Sequence, residues 1–432
     1  MVRYLFLTAP ATGHLFPSLA IAQELIERDH QVAWITGRAF QNKIEDTGAQ
    51  FIPLPAEIDA SVVDAYDLYP ELKKLKGFAQ FKYYLKHVFL DTCPISILVI
   101  DRVLADFPAD VFVGDTVMYA PFFKAEMVKK PSAMVSLLPL GIPSRDTPPF
   151  GLGIQPGNSF FTRSRDRLLS IIAYHILLRD VNQYANKIRQ ELGLKPLKKP
   201  FLIDGWYIPT LVMQLSTIAF EYPRSDLPEH ITYIGPVLVE PSPEFLPPIW
   251  WSDLTQYETV ILVNQGTVAM DLEDLIIPTI SGLRDQQLLI VAVPVKEGDL
   301  HDIPANVRAE PFIPFAHLLP HVDVMVTNGG YGGTQLALAH GVPLVVAGDT
   351  DDKMEVAARV EWSGAGINLK KQRPTSMEVR DAVMEVMNRP SYRQNAKRIQ
   401  ADFARYDAPI LAADLLEALA IDRLNRSPKL TA

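Results

Sequence analysis

A single cysteine, Cys93, in 432 residues excludes an intramolecular disulfide and any thiolate zinc cluster, and fits a reducing compartment. Cys93 itself reads as a small buried hydrophobe. No uncharged apolar run approaches the roughly 18 residues of a spanning helix; the longest candidates, Ile95 to Ile100 and Ile171 to Leu178, fall well short. The N-terminal apolar stretch in MVRYLFLTAP is too short for a signal-peptide core and ends at a proline. The mature chain is therefore expected to start here, as a cytoplasmic protein without a transmembrane segment, with peripheral membrane contact left open. Positive charge is also short: 41 Lys+Arg stand against 50 Asp+Glu, a net charge of −9. That argues against nucleic acid as a partner, since a phosphate backbone selects a basic face, but leaves room for one local anion pocket. What is plentiful is apolar surface, 48% of residues, enough for cores in the two or three domains that about 150 residues per domain implies. Proline is in excess, 35 residues, or about 8% against an average near 5%.

The pattern is that of an α/β protein. Tyr4 to Thr8 is an apolar run of strand length, Pro17 to Arg28 places Leu19, Ala22, Leu25 and Ile26 on one helical face, and Gln31 to Thr36 is a second strand, together a βαβ unit with a parallel sheet. Its first loop, Ala9 to Phe16, lies at the carboxyl end of the strand, where open sheets bind ligands. Asp110 to Val113 reads as another strand, followed by Asp115 and a helix over Thr116 to Lys124. Two irregular, aromatic- or Pro/Gly-rich stretches, Pro53 to about Ile100 and Pro139 to about Phe161, have the character of binding loops. At Tyr233 the texture changes to YIGPVLVEPSPEFLPPIWW, a semi-rigid linker. A second alternation follows, with strands at Val260 to Asn264, Leu288 to Val293, Val322 to Thr327, Pro343 to Ala347 and Gly366 to Leu369, and helices between them. The expected division is residues 1–235, a linker at 236–250, a second domain at 251–405, and a closing helix from 406 that packs back on the first domain.

The segment richest in chemistry is VTNGGYGGTQLALAHGVPLVV, Val326 to Val346. Its glycines let the backbone approach a ligand, and the helix they open presents unpaired N–H groups and a partial positive charge, a site suited to phosphate. It has no Gly-Lys-Ser/Thr ending and no G-x-G-x-x-G spacing, so it is neither a Walker loop nor a dinucleotide fingerprint.

GHLFPSLAIAQELIERDHQV (Gly13 to Val32) and PFIPFAHLLPHVDVMVTNGGYGGTQLALAHGVPLVVAGDTDDKMEVAARVEWSGAGINL (Pro311 to Leu369) resemble the N-terminal segment and the donor signature of the family 1 nucleotide-sugar glycosyltransferases, in the bacterial natural-product branch. The resemblance spans nearly the whole chain. It implies the GT-B fold, two Rossmann-like αβα domains across a cleft, with acceptor bound by the first and nucleotide sugar by the second. The implied reaction is metal-independent, inverting hexosyl transfer from a UDP- or dTDP-sugar co-substrate to a hydroxyl of a lipophilic small molecule, with no cofactor. A monomer or weak dimer is expected.

By resemblance His14 is the general base, a role that imidazole suits near neutral pH, and Asp115 orients it as a carboxylate orients the histidine of a catalytic triad; a helix N-cap is the other reading of Asp115. The growing charge on the leaving diphosphate falls to the amides of Gly330, Gly332, Gly333 and Thr334 with those of Gly266 and Thr267. Asn328 replaces the usual histidine, which shifts diphosphate binding toward the backbone. Phe312 stands where an aromatic stacks on the base, with the Ile313 backbone at the base edge; a core aromatic beside Pro314 is the alternative. Phe315 and Leu336 stand where ribose-contacting polar residues are usual, which points toward a deoxyribose donor unless Gln335 compensates. Asp352 and Lys353 match the sugar-contacting pair, Lys353 in place of glutamine. His30, His317, His321 and His340 read as structural. A sugar-nucleotide epimerase or hydrolase, and a non-catalytic binding protein, are the alternatives on this fold.

Overall fold

The computed structural model describes residues 1–426 apart from 158, 239–240, 267–270, 297, 301 and 350–351, with side chains described to residue 421. Short β-branched and aromatic runs form the strands of two wholly parallel sheets. The first contains β1 (Arg3–Leu7), β2 (Gln31–Thr36), β3 (Gln50–Pro53), β4 (Val111–Asp115), β5 (Ser132–Ser136), β6 (Leu211–Gln214) and β7 (Ile231–Tyr233), in the order β3-β2-β1-β4-β5-β6-β7. The second contains β8 (Val260–Asn264), β9 (Leu289–Val293), β10 (Val307–Ala309), β11 (Val324–Thr327), β12 (Leu344–Val346) and β13 (Gly366–Asn368), in the order β10-β9-β8-β11-β12-β13. In each sheet the order reverses beside the first strand, at β1/β4 and at β8/β11. This is the switch point at whose carboxyl edge α/β sheets bind ligands.

Both faces of each sheet are covered. Along β1, Leu5 and Leu7 enter one core with Phe112 and Phe122, while Tyr4 and Phe6 enter the opposite core with Trp34. That is the period-2 alternation of a strand, with both sides apolar because helices cover both. In the second sheet Leu262 and Val291 face one core and Ile261 and Ile290 the other. The helix Ala408–Arg426 contributes Ala412, Ala413 and Leu416 to the Tyr4/Phe6 core of the first sheet. Cys93 is buried, and burial pushes its thiol above the ordinary range.

Several elements depart from the sequence reading. The first helix runs Thr12–Glu27, with Pro17 inside it. Proline favours the first helical turn, which is why the pattern reads as a start at Pro17 although the helix opens five residues earlier. The helix after β4 begins at Ala120 rather than Thr116, and Thr92–Asp106 is helical within a stretch expected to be irregular. Strands β3, β5, β6, β7 and β10, three to five residues long, are not picked out by the sequence reading.

Candidate active site

Loops at the carboxyl edge of each sheet supply the residues of the site. In the first half, Asp115 ends β4 and is fully buried. Its Oδ1 accepts the amides of Val117 at 2.9 Å and Met118 at 3.0 Å, and its Oδ2 accepts the amide of Ala9 at 2.7 Å and faces His14 Nδ1 at 3.0 Å. The two sequence readings of Asp115 thus coexist: one oxygen closes the local turn, the other holds the histidine, while the helix beyond has Tyr119 at its N-cap. His14 lies in the first turn of its helix rather than in a loop, and its side chain is 23% exposed. No described protein group bonds its Nε2, so that nitrogen can take a proton from a bound molecule. Burial works against protonation of the ring, but the Asp115 carboxylate, by charge and by hydrogen bond, and then Asp352 outweigh it and raise His14 above its ordinary 6.5. Asp352 belongs to the second half. Glu355, on the helix that follows it, accepts the amides of Gly151, Leu152 and Gly153 from the loop after β5, so the two carboxyl edges face each other.

In the second half the glycine turn follows β11 and opens the helix Tyr331–Ala339, with Gly330 as N-cap. Gly329 has φ +86°, and a Cβ there would lie 2.8 Å from Val346, so it serves the turn itself. Gly330 and Gly332 differ. A Cβ on Gly332 would meet no atom within 4 Å, and one on Gly330 only Asn328 Oδ1 at 3.9 Å; packing does not require glycine at either place. The amides of Gly332 and Gly333 lie in the first turn, beyond the reach of an intrahelical carbonyl. That of Thr334 does not: it bonds the Gly330 carbonyl at 3.0 Å. What Thr334 has to spare is its buried hydroxyl, which has no hydrogen-bond partner. The amide of Gly266, at φ +79°, is likewise taken, by Asn264 Oδ1 at 3.0 Å, and Thr267 lies outside the described residues. The free amide set is therefore narrower than the sequence implies. Asn328 donates its side-chain amide to the Gln265 carbonyl, so it ties the β8 and β11 loops together.

Phe312 is 74% exposed, which removes the core alternative, and Ile313 is buried in the second-sheet core, leaving its backbone for contact. Phe315 and Leu336 pack against the same core. Gln335 is committed elsewhere, its Nε2 donating to the Leu215 carbonyl of the first half at 2.7 Å. Asp352 is the N-cap residue of the helix Lys353–Ser363 and Lys353 its first residue. Of the four histidines read as structural, His30 bonds Glu417 at 2.8 Å, His340 faces the Leu336 carbonyl at 2.9 Å, and His317 stacks on Phe245. The sequence reading missed Glu221, Glu355 and Tyr331, described below; each is an ordinary residue in its local context and gains meaning only from what crosses the cleft.

Two family models match: the glycosyltransferase family 28 N-terminal domain over residues 5–98, and the erythromycin biosynthesis protein CIII-like C-terminal domain over residues 282–419. The 4'-demethylrebeccamycin synthase of Lentzea aerocolonigenes is 39% identical, over 96% of this chain and 99% of its own. The chain is a family 1 glycosyltransferase with the GT-B fold. The glycosyltransferase is also 34% identical to UDP-glycosyltransferase 2 of Phaeomoniella chlamydospora, over 95% of this chain and 94% of the other. Its fold superposes on the calicheamicin glycosyltransferase CalG4 with a TM-score of 0.75 at 22% identity, over 99% of both chains. No described helix is long and apolar enough to cross a membrane.

Proposed function

We propose that this glycosyltransferase moves a sugar from a nucleoside diphosphate to a hydroxyl of a lipophilic natural product by one inverting displacement, without a metal step. The observation that carries the reading is the His14–Asp115 pair at 3.0 Å at the carboxyl edge of the first sheet. The acceptor oxygen forms a bond to the anomeric carbon as the bond to the diphosphate oxygen breaks, and the hydroxyl proton passes to His14 Nε2. Asp115, through Nδ1, fixes the tautomer and stabilises the imidazolium that develops. Negative charge grows on the leaving diphosphate against the amides of Gly330, Gly332 and Gly333 and the helix terminus behind them, with the Thr334 hydroxyl in reserve. Phe312 offers an exposed ring for the base, with the Ile313 backbone at its edge, and Asp352 and Lys353 flank the sugar. An acceptor rather than water is supported by the exposed apolar side chains Val62, Val63, Tyr66 and Phe78, carried on the segment that leaves the carboxyl edge at β3. The name of one relative, 4'-demethylrebeccamycin synthase, agrees with a natural-product acceptor, while that of UDP-glycosyltransferase 2 names a uridine donor for that protein.

For the donor, a thymidine nucleotide fits better than a uridine one. Phe315 and Leu336 cannot hydrogen-bond a ribose hydroxyl, and the buried Gln335 is anchored through its Nε2 to the Leu215 carbonyl of the first half. A thermal-shift comparison of UDP, dTDP, GDP and ADP tests this, since ligand binding raises apparent stability by mass action; stronger stabilisation by UDP than by dTDP would overturn it. The reaction itself is tested by nucleotide release. Release that requires an acceptor is expected, whereas release without one would mark a hydrolase or epimerase, and absence of nucleotide binding a non-catalytic protein.

A further inference from the structure

The helix Lys353–Ser363 has Asp352 and Lys353 at its N-terminus, and within two turns Glu355 and Arg359, both almost fully buried. Their side chains cross to the first half. Glu355 Oε1 accepts three consecutive amides, Gly151 at 2.8 Å, Leu152 at 3.1 Å and Gly153 at 3.0 Å. The loop can converge on one oxygen in this way because Gly151 and Gly153 have φ of +95° and +59°, making a concave anion-binding nest. Arg359 links Glu355 Oε2 at 3.0 Å to Glu221 Oε2 at 2.9 Å, and Glu221, from the segment between β6 and β7, is wholly buried. The other Glu221 oxygen accepts the Tyr331 hydroxyl at 2.9 Å. Burial and the nearby Glu221 charge raise Tyr331 well above its ordinary value, so that hydroxyl keeps its proton to donate. One carboxylate of the acceptor side therefore registers both donor-side helices, the one opening at the glycine turn and the one opening at Asp352.

Buried ion clusters of this kind add little net stability over well-packed apolar residues of the same volume, so their worth here is geometric. We propose that Glu355 and Arg359, acting with Glu221, are positioning residues for the glycosyl transfer: they fix the gap across the cleft between the sugar-side helix terminus and His14. The proposal rests on the functional reading above. Because in-line displacement is steep in distance, with a shift of about 1 Å able to cost about 10²-fold in rate, loosening this latch reaches kcat before it reaches nucleotide binding.

The test compares the wild type with Glu355→Ala, Glu355→Gln and Arg359→Met in the full-length protein. Expected for Glu355→Ala is a kcat lower by about tenfold to hundredfold with dTDP affinity by calorimetry unchanged. Partial recovery is expected in Glu355→Gln, whose oxygen still accepts amides. The charged groups that raise His14 are Asp115 on β4 and Asp352 on the latched helix, so retreat of that helix moves the His14 titration to lower pH while Asp115 stays in place. NMR titration of His14, assigned with His14→Gln, reads this without turnover, and so separates failure of the latch from failure of the proposed reaction. Unchanged kcat and an unchanged His14 titration in folded variants would overturn the proposal. So would a parallel fall of kcat, dTDP affinity and Tm, which would mark the cluster as holding the fold only.

Discussion

At the scale of single residues, Asp115 shows how His14, the base proposed above, is held in place before substrate arrives. Backbone amides hold both oxygens of its carboxylate, so the position of His14 Nδ1 is dictated by the strand end rather than by the histidine's own rotamer freedom. Asp115→Asn keeps one acceptor oxygen for the Val117 and Met118 amides but loses the one that accepts Ala9, and it should lower kcat by about 10²-fold or more, since the amide stabilises neither the needed tautomer nor the imidazolium. His14→Ala should nearly abolish transfer with nucleotide affinity intact; near wild-type turnover would remove it as the base. The pH dependence follows with a definite sign. A base must be deprotonated to act, and Asp115 and Asp352 hold His14 above 6.5, so kcat/KM should rise with pH through an apparent value above 6.5, and Asp352→Asn should move that limb down. The same shift acts on stability in the opposite sense. The folded state favours the proton, so this contribution is complete below the unfolded value and is lost as pH rises through the folded one.

Secondary-structure elements divide the glycine turn into parts with different duties, which the string Asn-Gly-Gly-Tyr-Gly-Gly-Thr does not reveal. Gly329 is required by its backbone angle and by Val346, whereas Gly332 has open space where a side chain would begin. Gly332→Ala should therefore stabilise the free protein by about 0.4–1 kcal/mol, by restricting the unfolded chain, while raising the donor KM because the methyl occupies the approach to the turn. Gly329→Ala should lower Tm. Equal effects from the two substitutions would mean that the space beside Gly332 is not used by donor. The presence of an anion-suited turn, the βαβ order and the pairing of His14 with Asp115 were all legible in sequence, from runs, spacing and resemblance. Which amides remain free was not, because Asn264 and the Gly330 carbonyl take two of them through contacts that no local pattern encodes. The short strands β5, β6 and β7 escaped for a related reason: their identity comes from the sheet that receives them.

For the whole molecule, sequence distance hides two couplings. The Glu221–Arg359 contact joins residues 138 positions apart, and no composition or period marks either partner. The chain end is the second. Ala408–Arg426 follows the second-sheet half in sequence yet completes the core of the first-sheet half, with Leu416 buried among Tyr4, Phe6 and Trp34 and with Arg28 bonding Asp414 at 2.6 Å at the rim. An element covalently attached to one half but packed in the other couples their stabilities. Leu416→Ala should cost about 2–5 kcal/mol, and the loss should be local in origin, because the second-sheet cores contain no residue of this helix among those described. Native-state hydrogen exchange decides the point. Amides of β1 and β4 should lose protection while those of β8 and β11 retain theirs; equal loss in both sheets would show that the latch and the returning helix weld the two halves into one cooperative unit, and any opening of the cleft would then be confined to its loops.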